Sequence, residues 1–344
     1  DFTAEHDIES GRGAAHAIAD ALAFDESLQP YEISELARGL IENVHGPASA
    51  RAELRWTRDG VTATGIVRPE GISLAMATIP SIRDVRGEVV FDDLFQLTTP
   101  PGQIVHIGEL NPGIAVRNGR VQFQLLPQQR VAVEAAEFDF AEGVLAVAPA
   151  TITLGAEEMR FNLTLSDVDV AALVAQLNLP DVRATGRVEG SFPVRLTKRN
   201  AFIEHGELRA SPEGGTIAYA GTAGENVTGP ARVAFDALRS FRYDDLQLTL
   251  NGDLSGEIVT AIHFTGENTG EAVDLSALSN NPVRVRARGV PFAFDVSVTA
   301  PFRQLARTAA GIVDPGDVLG NAVDQGQAEQ NPAHSVDVQV DPLR

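Results

Sequence analysis

No cysteine occurs anywhere in the 344 residues. That removes disulfides, thiolate nucleophiles and cysteine metal sites, and leaves the redox compartment open. Aromatics are scarce at 6%, with one tryptophan and three tyrosines. A carbohydrate-active solenoid would cluster aromatic and acidic residues on one sheet face, and these are too few and too scattered. Basic side chains are also outnumbered: 27 Lys and Arg against 47 Asp and Glu, a formal net charge of −20. A chain of that sign repels nucleic-acid phosphates and has no polybasic grip on anionic headgroups. Missing too is any run of about 18 uninterrupted apolar residues, the length a membrane-crossing helix needs. The sequence opens at Asp1 with neither an initiator Met nor a signal peptide. It therefore reads as a piece of something longer, with any anchor or targeting signal upstream.

What is present is an apolar fraction of 44%, enough for a sizeable core, arranged mostly with a period of two. The stretch Thr185–Tyr219 is the clearest case. Val188, Phe192, Val194 and Leu196 are apolar, and Glu189, Ser191 and Arg195 alternate with most of them. This is the signature of a strand with one buried face. Lys198, Arg199 and Asn200 make a polar turn, Phe202 to Ala210 returns, and Pro212 to Gly215 breaks the run before a third strand. Short strands repeat from Ala50 to Asp92, with turns expected at Arg58–Gly60, Pro69–Gly71 and Arg86–Gly87. They resume through 104–165, with a hairpin about Gly252 and another joining Val283–Ala287 to Phe292–Val298.

Helical spacing is confined to a few segments. Ala14 to Phe24 and Pro30 to Val44 read as two amphipathic helices, so residues 1–48 are expected to form a helical N-terminal segment. A curved sheet is expected over 49–312, with helices near 167–179, capped by Ser166 or Asp167, near 230–241 and near 302–312. Residues 313–344, rich in Gly, Asn, Gln and Asp, are expected to be mostly a disordered tail that proteolysis trims harmlessly. Val336, Val338 and Val340 alternate and offer one last strand.

No constellation points to catalysis. His6, His16, His45, His106, His205, His263 and His334 lie on different predicted elements, without metal-ligand spacing. Asp92-Asp93 and Asp244-Asp245 are adjacent pairs, which point to opposite faces of a strand. Gly108 to Gly113 and Gly214-Gly215 do not lead from a strand into a helix, as a dinucleotide loop does. Ser191 lacks the second glycine of a nucleophile elbow. Trp56 sits in a predicted strand and reads as core. We therefore expect no enzyme, catalytic residue, metal or cofactor.

Asp92-Asp93-Leu94, Thr99 to Gln103, Leu110 to Gly113, Gly119 to Phe123, Gly186 to Val194, Ile203 to Leu208 and Pro212 to Tyr219 follow one another along the chain. Taken in that order, they resemble the C-terminal region of YdbH-like proteins, members of the AsmA-like superfamily of Gram-negative envelope proteins. The resemblance covers about residues 30–310. It implies a mainly β fold: a long, curved antiparallel sheet forming an elongated hydrophobic, taco-like groove. It further implies a periplasmic body anchored in the inner membrane by an upstream segment, phospholipid passage between inner and outer membranes, and an envelope partner such as an outer-membrane lipoprotein. An older family label of dicarboxylate transport finds no cluster of Arg or Lys to support it. A scaffold that binds partners by strand addition is the alternative.

The physical argument is that few helices cannot cover the apolar face of so many strands. Phe123, Phe161, Leu163, Val188, Phe192, Val194, Leu248, Leu250, Ile262, Phe264, Phe294 and Val296 occupy one phase of their strands and are the candidate lipid-groove residues. Alternation alone leaves open which phase faces inward, because a one-residue slip reverses every side chain.

Overall fold

The computed structural model describes residues 1–38, 41–76, 79–111, 115–176, 181–197, 200–222, 228–253, 257–275, 286–301 and 335–342. Nearly every strand belongs to one large, open antiparallel sheet, accompanied by a few short helices. The elements begin with β1 (Phe2–Asp7), β2 (Arg12–Phe24), α1 (Pro30–Ile33), a 3-10 turn (Glu35–Ala37), β3 (Glu42–Trp56), β4 (Val61–Met76) and β5 (Ile79–Phe91). They continue with β6 (Gln103–Asn111), β7 (Val116–Leu126), β8 (Arg130–Phe140), β9 (Gly143–Val147), β10 (Ala150–Thr153), β11 (Glu158–Asp169), α2 (Val170–Gln176), β12 (Val182–Thr185) and β13 (Arg187–Thr197). The remainder are β14 (Ala201–Ala210), β15 (Gly215–Tyr219), α3 (Pro230–Leu238), β16 (Phe241–Asp253), β17 (Glu257–Asn268), β18 (Val273–Asp274), β19 (Arg286–Ala287), β20 (Pro291–Pro301) and β21 (Ser335–Pro342).

The chain divides into two compact units. The first comprises Asp1–Phe140, Leu145–Leu163 and Leu196–Arg199. In it β1 to β8 pair each with the next in an up-and-down meander, and β10 pairs back on β8. Polar side chains, the buried Gln29 and the exposed Asp7, close two of its irregular corners. Gln29 donates through Nε2 to the carbonyls of Asp25 (2.6 Å) and Val44 (2.8 Å) and accepts from Val44 N–H, which ties the β2–β3 connection down. At the β1–β2 turn Asp7 accepts from the Ser10 hydroxyl and from the N–H groups of Ser10 and Glu9, and these bonds hold its carboxyl below the usual range.

The second unit comprises Ala141–Val144, Thr164–Arg195 and Asn200–Arg344. Here β12 pairs with β15, β15 and β14 with β16, β16 with β17, β17 with β20 and β20 with β21, all antiparallel. Its core lies under α3. Val233, Ala234 and Ala237 of the helix pack on Phe241, Phe264 and Phe294 of the sheet. Phe264 and Phe294 stack at 4.8 Å, and Phe241 meets each of them edge-on.

Several expectations need correction. Ala14 to Phe24 is not helical: it lies within β2, hydrogen-bonded to β1 on one side and β3 on the other. Alanine's helix propensity is only a weak prior, and the two flanking ladders override it. The helix from Pro30 stops at Ile33, a 3-10 turn ends at Ala37, and the strand begins at Glu42, so Val44 belongs to β3. Pro69–Gly71 and Arg86–Gly87 are not turns. They lie inside long strands, Gly71 at a β-bulge of β4 and Arg86–Gly87 in regular register on β5, with Gly71 and Gly87 at φ of 113° and 149°, a region a side chain rarely enters. Near 167–179 the strand persists to Asp169 and only Val170–Gln176 is helical. The capping carboxylate is that of Asp169, which accepts from Ala172 N–H at 2.8 Å, rather than Ser166 or Asp167. Residues 177–179 and the expected helix near 302–312 lie outside the described residues. The expected hairpin of 283–287 with 292–298 does not form as drawn: β19 pairs with β18, and β20 lies between β17 and β21. Within the expected disordered tail, Ser335–Pro342 is a strand.

Candidate functional site: the apolar sheet faces

Cross-strand register sorts side chains by face, since directly opposed residues point the same way. In the first unit one row reads Phe2, Ala17, Ala52, Gly65 and Phe91 across β1 to β5. Another joins Val105, Val121 and Ala136. The opposite face carries the row Glu70, Arg86, His106, Arg120 and Glu137 across β4 to β8. The first face is thus apolar in these rows, while the other combines this charged row with the mixed row Ile18, Arg51, Ile66 and Val90. Phe123 of the candidate set stands on the apolar side, opposed by Val133, and is half-buried. Phe161 and Leu163 on β11 are half-buried as well.

The second unit repeats the segregation. Leu208, Leu248 and Ile262 form one row, which reaches the backbone positions of Val296 and Val338 on β20 and β21. Leu246, Phe264 and Phe294 form the next. The other face pairs Gln247 with His263 and His263 with Asp295, whose carboxylate lies 2.7 Å from the imidazole in solvent. Bulges keep the phase: one between Tyr243 and Asp245 returns Leu246 to the side of Phe241 and Tyr243. On β13 the ring of Phe192 lies over Gly206, which opposes Leu250.

The candidate residues are therefore not equivalent. Phe264 and Phe294 sit in the closed cluster beneath α3, at 5% and 1% exposure. Val188 and Val194 are also buried, at 2% and 6%. Phe192, Leu248, Leu250 and Ile262 are half-buried, on the part of the face that continues outward from the cluster. Sequence reasoning left out Leu208, Leu246, Ile258 and Phe292, which share the apolar side. Their alternation carried the same signal as the residues chosen. Tyr243 was also missed. Its hydroxyl donates to the Thr185 carbonyl at 2.7 Å, and burial, followed by the nearby Asp169 carboxylate, raises its pKa above the ordinary tyrosine value.

Among the described residues, no three His, Asp or Glu side chains gather as a metal site would require, and no helix is long and apolar enough to cross a membrane. These features define a class: a large, open, antiparallel β-sheet protein in which each unit carries apolar rows on one face of its strands. The chain belongs to the YdbH-like family, whose model, described as intermembrane phospholipid transport protein YdbH, matches residues 3–319. No curated protein and no solved structure matches it.

Proposed function

We propose that this chain is a non-catalytic phospholipid conduit of a Gram-negative envelope. It works in the periplasm, carried by an upstream inner-membrane anchor and delivering to an outer-membrane partner. Phospholipid acyl chains lie against the apolar sheet faces while headgroups stay in water. The observation that carries this reading is the half-buried apolar strip of Phe192, Leu248, Leu250 and Ile262, beside the buried Leu208 and backed by a polar outer face, in a chain of this family. Each methylene withdrawn from water stabilises the bound lipid by about 0.8 kcal/mol. A strip whose rows repeat from strand to strand offers similar burial at successive positions, so a chain can slide without a large barrier. No proton, metal or redox step is needed.

The test is mass spectrometry of organic extracts from the purified, folded protein. Co-purifying phospholipid, near one or more molecules per chain, supports the conduit. A well-folded sample free of lipid, which also takes none from vesicles, overturns it in favour of a scaffold joined to its partners by strand addition.

A further inference from the structure

Three polar side chains interrupt the apolar face of β16 and β17: Tyr243, Thr260 and Asn268. Two of them are anchored within the chain. The Tyr243 hydroxyl donates to the Thr185 carbonyl, and Asn268 Nδ2 donates to the carbonyls of Ala237 (3.2 Å) and Ser240 (3.4 Å). Thr260 is different. It is 9% exposed, between the fully buried Ile258 and the half-buried Ile262 on the same face of β17. Leu250 stands opposite it, and the neighbouring row is Leu248 with Ile262. Among the described residues, none exchanges a hydrogen bond with the Thr260 hydroxyl.

A hydroxyl withdrawn from water without a partner costs free energy, and valine would fill the same space without that cost. Nor is this hydroxyl sealed. Among the described residues Asn268 Oδ1 is the side-chain atom both closed off from solvent and unpartnered, so Thr260 Oγ1 keeps an opening. The strip therefore carries one unused donor, set where acyl chains lie against Leu250 and Ile262. Hydrocarbon has no acceptor to offer it. In a phospholipid the acceptors nearest the chains are the two ester carbonyls. They are uncharged and enter an apolar wall at far lower cost than the phosphate does.

We propose that Thr260 holds a phospholipid by its ester linkage: the hydroxyl donates to an acyl-ester carbonyl and sets where along β17 the acyl chains begin. This rests on the conduit reading above and narrows its cargo to ester-linked lipid. Thr260 is then a resting point on an otherwise even path. The test compares the full 344-residue chain with Thr260→Val and Thr260→Ser. Lipid-stripped protein is incubated with vesicles holding equal amounts of diester phosphatidylethanolamine and its diether analogue, which keeps the headgroup and chains and lacks the carbonyls. The lipid taken up is counted by mass spectrometry, and calorimetry follows the melting of each stripped sample. One net hydrogen bond corresponds to a preference of about twofold to tenfold. The parent and Thr260→Ser should favour the diester by that factor, and Thr260→Val should take both lipids alike. Thr260→Val should melt no lower than the parent, because no bond within the protein is lost. Equal uptake of the two lipids by the parent, or a preference that survives in Thr260→Val, overturns the ester contact while the conduit stands. Loss of the preference in Thr260→Ser ties it to packing rather than to the hydroxyl and overturns the contact as well. So does a lower melting temperature for Thr260→Val, which would mean that the hydroxyl is already bonded within the chain. Uptake of neither lipid by the parent removes both the contact and the conduit.

Discussion

Tyr243 joins two turns through one ring. Its hydroxyl bonds Thr185, and a Cβ placed on Gly186 or Gly215 would run into its phenol oxygen. The phrases Gly186 to Val194 and Pro212 to Tyr219, readable in the sequence only as turn chemistry, are in part the walls of this slot. Gly215→Ala should therefore destabilise the protein by about 2 kcal/mol or more, because backbone and ring close the space. A denaturation midpoint within error of the parent would contradict this. Tyr243→Phe keeps the ring and loses the hydrogen bond, for a cost of about 1 kcal/mol plus that of the unpaired Thr185 carbonyl. The pH dependence has a definite sign. The folded-state pKa is raised above 10.0, so the unfolded chain ionises first. The contribution is complete below about pH 10 and is lost as pH rises through the higher folded value. Urea titrations from neutral to strongly alkaline pH should show this loss in the parent and less of it in Tyr243→Phe. Equal alkaline slopes would show that Tyr243 does not titrate with folding.

At the scale of elements, strands were legible where alternation was strict, and helices only where nothing competed. The three strands of 185–219, the β16–β17 pair and α3 follow their patterns closely, except that the helix expected over 230–241 ends at Leu238 and Phe241 opens β16. β2 does not, because Ala14, Ala17, Ile18, Ala21 and Leu22 fit a helical stripe while Ala15, Ala17 and Ala19 fit a strand face equally well. Partners distant in sequence, such as Ala52 opposite Ala17, decide between the two. Glycines at 71 and 87 read as turns because sequence shows that a residue with positive φ is wanted, but not whether the chain reverses there. The last strand shows the same limit. Val336, Val338 and Val340 hinted at β21, and its place beside β20 depends on pairing over Phe292–Thr299. Trimming at residue 334 should accordingly not be harmless. It strips β20 of a ladder and leaves an open edge, so the melting temperature should fall by roughly 5 °C or more and the protein should self-associate. An unchanged melt with a monomeric sedimentation profile would return the segment to a dispensable tail.

For the molecule as a whole, the question is whether its apolar faces are cores or paths. The sequence showed the alternation but not its sign. Register supplies the sign, and burial then divides one phase into covered and uncovered parts. Phe294 and Leu248 share a face and differ in cover: Phe294 is 1% exposed beneath α3, and Leu248 is half-buried on the open strip. An aspartate in place of Phe294 puts an unpaired charge into a closed aromatic cluster, which costs several kcal/mol and should abolish cooperative melting. An aspartate in place of Leu248 can turn its carboxylate to water, so the melt should survive within a few degrees. Acyl chains crossing that row would then meet a charge, and the phospholipid recovered per chain should fall severalfold. Thr249→Asp, one residue away on the outward face, should change neither quantity. Calorimetry and lipid extraction on the three variants read both effects. If Leu248→Asp unfolds as Phe294→Asp does, the strip is a closed core and the path does not run there. If it folds and still carries the parent's lipid, the chains lie elsewhere on the protein.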